Sequence, residues 1–502
     1  MMQTSSDTLY QQYVDAMRKI ADLRYASALL QWDQETYLPA KGAAIRGQQI
    51  ATLSEIAHEH STAPSLGGLL QELMGCDNLT PGQKKNVSLT WEDYSKQKKF
   101  TPAFVRELTE TVNKSFHSWI EARKANDFKI FGRHLAPLVE LKKQEAQLLG
   151  YEGHPYNALL NDFDKGSNVA TLDGVFNNIG QPLKNILDQI QSRPQVSNAF
   201  LHRHYPKDKQ WAFGMQVLKD LGYDLEAGRQ DMSEHPFTTS FNSRDVRVTT
   251  RIDEQDLGNM VWSCIHETGH ALYEQGLPDE EYGLPLGEAA SLTIHESQSR
   301  LWENHVGRSK AFCEHYFPVL QQYFPEQLQD VTVETFYQGI NQVSPSLIRT
   351  EADEVTYHFH VMIRYELEKQ LIGGNLATND IPAFWNEQYA RYLGVTVPDD
   401  KRGCLQDVHW SHGSFGYFPT YSLGSFYAAQ IYRKASESIK DIDNQIKNGN
   451  TTELLQWLRS GIHQYGRMYT SEELGQRVTG ETLKIDHFLQ YILDKYRDIY
   501  KF

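Results

Sequence analysis

Cysteine is scarce in this chain. Its 502 residues include four, Cys76, Cys264, Cys313 and Cys404, far apart in sequence. That excludes a disulfide framework and a Cys-x-x-Cys metal knuckle, and it points to free thiols in a reducing compartment, the cytoplasm. No run of about 18 consecutive apolar residues occurs, so no membrane span is expected. The opening MMQTSSDTLYQQYVDAMRKIADL has no apolar stretch of signal-peptide type. Net positive charge is also missing. The formal balance is −15 at pH 7, which repels a phosphate backbone and argues against nucleic acid as a partner. Linkers rich in Gly, Ser or Pro are absent, as are low-complexity segments and internal repeats.

What the chain has is apolar mass and helical rhythm. Apolar residues make up 40% and aromatic ones 12%, enough to bury a large core. LYQQYVDAMRKIADLRYASALLQW (9–32), FGRHLAPLVELKKQEAQLLG (131–150) and VFNNIGQPLKNILDQIQS (175–192) space apolar residues by three and four, as amphipathic helices do. Pro137 and Pro182 mark kinks or boundaries within them. Strand-like alternation is rare, and DVRVTTRI (245–252) is its best instance. The expected fold is mostly α, a single large helical body with two lobes around a groove and minor β content.

Within one helix-forming stretch, VWSCIHETGHALYEQG (261–276), His266 and His270 flank Glu267. Residues four apart share a helix face at about 5–6 Å. Two imidazoles so placed can converge on one ion at about 2.0–2.1 Å. A metal lowers the pKa of its water, and a carboxylate alongside takes the proton. Glu267 sits where it can serve that way without ligating. The surrounding helix is apolar and stops at Gly276-Leu277-Pro278. Cys264, two residues before His266, reads as core.

A hydrolytic zinc site takes three protein ligands and leaves one position open. A metzincin would carry histidine six residues after His270, but Gly276 stands there. The alternative is a glutamate from a second helix, and LGEAASLTIHESQSRLWENHVG (286–307) offers Glu288, Glu296 and Glu303. Glu288 is expected in the first turn, where a carboxylate complements the helix dipole. Glu303 lies near the far end. Glu296 sits mid-helix among Leu292, Leu301 and Trp302, where burying a carboxylate is costly unless something pairs it. Glu296 is the expected third ligand. His295, about 100° around the helix, should not share the ion.

At this point the chain resembles the carboxypeptidase Taq family of zinc metallocarboxypeptidases. HETGH followed by IHESQSRLWEN carries the resemblance, together with WDQETYLPAKGAAIRGQQIATLSEIAHE (32–59), DVRVT (245–249), IRTEADEVTYHFHVMIRYELE (348–368), GCLQDVHW (403–410) and GSFGYFPTYSLG (413–424). It implies one catalytic domain over 1–502, with an N-terminal helical part at about 1–200 and the zinc and substrate motifs at 245–424. It implies an almost wholly helical, neurolysin-like fold with zinc at the base of a long groove. It also implies a homodimer that releases single C-terminal residues from peptides with broad preference. One zinc per chain is expected, with cobalt or manganese able to substitute. A zinc oligoendopeptidase on the same scaffold is the rival reading.

A carboxypeptidase must hold a free C-terminal carboxylate, and the planar fork of arginine suits it. Arg349, Arg247 and Arg251 are the candidates. The resemblance favours Arg349, with Asp353 expected to orient it and Arg247, on a strand face with Asp245 and Thr249, as second choice. Peptide hydrolysis also loads negative charge onto the former carbonyl oxygen, where a hydrogen-bond donor helps. His409 and Tyr421 are expected in that role, guided by the similar placement of a histidine and a tyrosine in related zinc peptidases. His412 serves equally well from sequence alone. The WDQETYLP stretch is expected to pack and carries no assigned chemistry.

Overall fold

The computed structural model describes residues 5–502, which form a mostly helical body. The N-terminal helix Ser6–Thr36 starts at Ser5, whose hydroxyl accepts from the Thr8 amide, as a helix-capping serine should. It packs beside Ala43–Ser61, Pro64–Met74 and Pro81–Gln97. These arms have a small apolar cluster of their own, with Tyr13, Leu70, Leu73 and Val87 at its centre and Leu284 reaching in from the active-site side. A much larger core runs from Ala122 to Tyr500 and holds most buried aromatic and aliphatic side chains.

Helices Phe128–Leu149 and Val169–Gln191 continue past Pro137 and Pro182, so neither proline is a boundary. Each proline removes one backbone bond. The buried stripes Leu135, Leu138, Val139 and Ile179, Leu183, Ile186 carry the helices past it, since tertiary burial supplies most helix stability.

The strand expected at 245–252 is present as β3 (Asp245–Thr250). It lies centrally in a small sheet of order β1-β3-β2, parallel to β1 (Gly228–Met232) and antiparallel to β2 (Thr238–Asn242). Two buried faces explain its β-branched residues: Val246 and Val248 are almost inaccessible, and so are Thr249 and Thr250. The sheet packs on helix Leu257–Glu274, which carries His266-Glu267-Thr268-Gly269-His270. WDQETYLP, expected to pack, does so only through its tryptophan, with Gln34, Glu35, Tyr37 and Pro39 exposed. Trp32 is buried, and the Arg247 guanidinium lies 4.4 Å from its ring centre.

The second motif helix differs at both ends from the 286–307 expected. It begins at Leu292, with the Ser291 hydroxyl capping the Ile294 amide, because Pro285–Gly287 forms a separate tight turn. Glu288 therefore lies before the helix, not in its first turn, and accepts from Arg467 at 2.7 Å. Past Arg300 the chain opens into a fully buried π-helical segment, Leu301–Gly307. Helix Phe418–Ser438 packs along this unit.

Candidate active site

Helix Leu257–Glu274 is capped by Asp256, whose carboxylate accepts from the Asn259 amide. It presents His266 and His270 toward helix Leu292–Arg300. The two helices touch backbone to backbone at Gly269, where a Cβ would stand 2.7 Å from Ser299 Cα. Only glycine permits that approach, and it brings Glu296 to the histidines. Glu296 Oε2 lies 3.7 Å from His266 Nε2 and 3.5 Å from His270 Nε2. Four ligands at 2.0–2.1 Å in a tetrahedron are spaced by about 3.3–3.4 Å, so the three donors fit one divalent ion.

The ring nitrogens are sorted for that task. His266 Nδ1 faces Glu303 Oε2 at 2.9 Å, and His270 Nδ1 donates to the His295 carbonyl at 3.0 Å. Both Nε2 atoms are left toward Glu296. Burial pushes the Glu296 carboxyl up, but Arg300 first, and then the two histidines, reverse this and hold it well below the usual range. The Arg300 Nε–Glu296 Oε1 distance is 2.7 Å. Burial, helped by His295, pushes His270 down to about 3, so its imidazole is neutral and able to ligate. His295 takes no place among the donors. Its Nε2 pairs with Glu274 at 2.8 Å and its ring stacks on His270. Cys264 is buried core, as expected.

Glu267 is buried beside this group. The Thr238 hydroxyl, at the start of β2, donates to its Oε2 at 2.6 Å, and burial pushes the carboxyl up. The wall opposite comes from residues 349–421. His409 Nε2 and the Tyr421 hydroxyl are 3.1 Å apart. Gly424, one turn after Tyr421, lies so near Glu296 that a Cβ would fall 2.7 Å from the Glu296 side chain. Burial and Arg349 push His409 down to about 3. His412 is exposed and rests on Phe116, away from this pair.

Arg349 is buried and 4.8 Å from the Tyr421 ring centre. Asp353 does not orient it. That carboxylate accepts from the amides of Ser344, Val355 and Thr356 instead, and Arg349 stands on a separate 3-10 turn, Arg349–Glu351. Asp407 takes the role: its Oδ1 accepts from Arg349 Nε at 3.0 Å and its Oδ2 from Arg364 Nε at 2.7 Å. Arg349 Nη1 donates to the Tyr357 hydroxyl at 3.1 Å, and Arg300 lies over the Tyr357 ring at 4.4 Å. Arg300 and the Tyr357 phenol thus bridge Glu296 and Arg349. Arg247 is held fork to fork by Asp245, at 2.8 and 2.9 Å, beneath Trp32 and Phe241. Arg251 is exposed beyond the strand.

Sequence reasoning passed over Thr238, Arg300, Asp407 and Arg364, and it weighed Glu303 only as a ligand. Arg300 was findable, four residues after Glu296 on one helix face. Asp407 lay inside the quoted GCLQDVHW, and Thr238 gave no signal.

A helical body with a His-Glu-x-x-His helix, a glutamate from a second helix and a buried carboxylate alongside defines a metallopeptidase. The family model of the carboxypeptidase Taq (M32) metallopeptidases matches residues 12–496, and the chain belongs to that family. It is a metallocarboxypeptidase, a peptide hydrolase that uses a divalent metal. It is 39% identical to thermostable carboxypeptidase 1 of Thermus thermophilus, over 98% of this chain and 99% of the relative. An M32 carboxypeptidase structure from Deinococcus radiodurans superposes with a TM-score of 0.97 at 39% identity, covering 99% of this chain and all of that one. The structure of CHT, 58% identical, gives 0.96 over 97% and 99% of the two chains.

Proposed function

We propose that residues 1–502 work as one catalytic domain that removes single C-terminal residues from peptides of broad sequence, with zinc held by His266, His270 and Glu296. The convergence of those three donors carries the reading. Zinc bound there supplies a Lewis acid and an activated water. Cobalt or manganese would fit the same mixed nitrogen and oxygen donors.

The remaining chemistry belongs to this chain's own groups. Glu267 has one oxygen tied to Thr238, which leaves Oε1 to take the proton of the attacking water and pass it to the leaving amine. In the tautomer that carries its proton on Nε2, His409 donates to the Tyr421 hydroxyl 3.1 Å away and frees the Tyr421 proton for the oxygen where charge develops. Arg349 has five N–H groups. Two go to Asp407 and one to Tyr357, so two remain for the substrate carboxylate. Arg247, occupied by Asp245 and covered by Trp32, is the weaker candidate. A cytoplasmic homodimer, unattached to nucleic acid or membrane, completes the proposal. It rests on the resemblance, the four free cysteines and the acidic charge.

Mass spectrometry of products from one N-blocked peptide, offered as free acid and as C-terminal amide, tests it. Stepwise shortening of the free acid alone is expected. Internal cleavage of both would move the protein to the oligoendopeptidase reading, which the family membership disfavours. Light scattering on the purified protein checks the dimer.

A further inference from the structure

The two histidines of the metal group are held in unlike ways. His270 gives its Nδ1 proton to a neutral acceptor, the His295 carbonyl, at 3.0 Å. His266 gives its own to a carboxylate, Glu303 Oε2, at 2.9 Å. Glu303 stands on the π-helical segment Leu301–Gly307, every residue of which is buried. Arg300 reaches both Glu296 and Glu303, at 2.7 and 3.3 Å. Arg308 approaches the other oxygen of Glu303 at 3.4 Å and anchors itself on the Ile340 carbonyl at 2.6 Å. Glu303 is therefore fixed from three sides, and its one acceptor contact with an imidazole is on the ring edge away from Glu296.

A charged acceptor makes a shorter and stronger bond than a carbonyl. It draws the Nδ1 proton and so enriches Nε2, while locking the tautomer and the ring plane. We infer that Glu303 is a positioning residue for His266: its carboxylate fixes the tautomer and strengthens Nε2 as a donor, and Arg300 keeps that carboxylate in register with Glu296. This rests on the reading that His266 ligates the ion. Glu303 is not itself a ligand, because it meets the wrong nitrogen. The geometry also assigns a purpose to the π segment. Its wider turn carries Glu303 against the ring of His266, one helix away, while Glu296 stays opposite Nε2.

Zinc dissociation constants of the whole protein, measured by competition with a chromogenic chelator, test the inference. In Glu303→Gln the constant is expected to rise about 10–100-fold. In Glu368→Gln, which neutralises another buried carboxylate whose partners are Tyr156, Trp410 and the Gly416 amide and none of the three donors, it should stay within about threefold. A Glu303→Gln constant within threefold of the wild type overturns the inference. So does an equal weakening in both variants, which would make Glu303 merely structural. Should Glu303→Gln be insoluble, Glu303→Asp decides in its place, since a side chain too short to reach Nδ1 must also weaken zinc. The metal reading has its own check. One zinc per wild-type chain, lost in His270→Ala, is expected, and failure there would remove the ligand set before Glu303 enters.

Discussion

Gly269, inside the His-Glu-x-x-His motif, offers a sharp test of how the site is built. A Cβ at this position would stand 2.7 Å from Ser299 Cα and 2.8 Å from the Gln298 carbonyl oxygen. Both are backbone atoms of the helix that carries Glu296, so no side chain can swing aside. Ordinary contact begins at 3.4 Å, so Gly269→Ala must part the helices by 3.4 − 2.7, or 0.7 Å. Metal sites tolerate roughly ±0.2 Å in ligand distance. The displacement exceeds that, and Glu296 rides on the helix that moves. Overpacking of this kind costs about 1–3 kcal/mol of stability. If closing the site on zinc must restore the native spacing, the same cost is lost from binding, about 5- to 140-fold in affinity, since 1.4 kcal/mol is a factor of ten. Urea unfolding and chelator competition measure the two effects. Gly174→Ala is the control: that glycine sits exposed on helix Val169–Gln191 with nothing within 4 Å of a built Cβ. It should gain about 0.5–1 kcal/mol and leave zinc binding alone. A Gly269→Ala protein with wild-type stability and zinc affinity would refute the backbone-to-backbone docking of the two helices.

Glu267→Gln should keep one metal per chain and lose at least about 10²–10⁴-fold in turnover; near-normal turnover would remove Glu267 as the base. Arg349→Lys keeps the charge but not the fork, so KM for a free-acid peptide should rise and discrimination against the amide should collapse, read by comparing kcat/KM for the two. Asp407 makes a pH prediction. Burial opposes its charge, yet Arg364 and Arg349 hold its carboxyl well below the usual range. As pH falls, the unfolded carboxyl takes its proton first, near pH 4. The stability Asp407 contributes is therefore complete above that pH and lost on acidification. Asp407→Asn should be destabilised at neutral pH, with a gap to the wild type that narrows below about pH 4 in urea titrations; a gap independent of pH would contradict this.

Much of the site was legible because its signal is local. His266 and His270 lie four apart on one helix, so their common face follows from sequence alone, and Glu267 is the residue next to His266. Glu296 was legible as a mid-helix carboxylate among apolar neighbours that needed a partner. Glu288 and Asp353 were misplaced for the opposite reason. Glu288 was expected in a helix where a proline-bearing turn stands, Asp353 was paired with Arg349 across a 3-10 turn, and such ends depend on a cap and a few backbone bonds rather than on periodicity. Pro137 and Pro182 failed as boundaries because burial outweighed local preference.

Helical class, the β3 strand, the family and the residue types able to hold a metal could be read from the chain in order. Each of these rests on contacts within a few residues or on motifs read in line. Tertiary structure alone decided the partners that buried charged groups meet from far along the chain. Asp407 reaches Arg349 across 58 residues, Glu303 reaches His266 across 37 and Thr238 reaches Glu267 across 29. A buried charge must be paired, but nothing in the chain's order says by which group. That choice is made when the helices dock, and Gly269 and Gly424 set how closely they do.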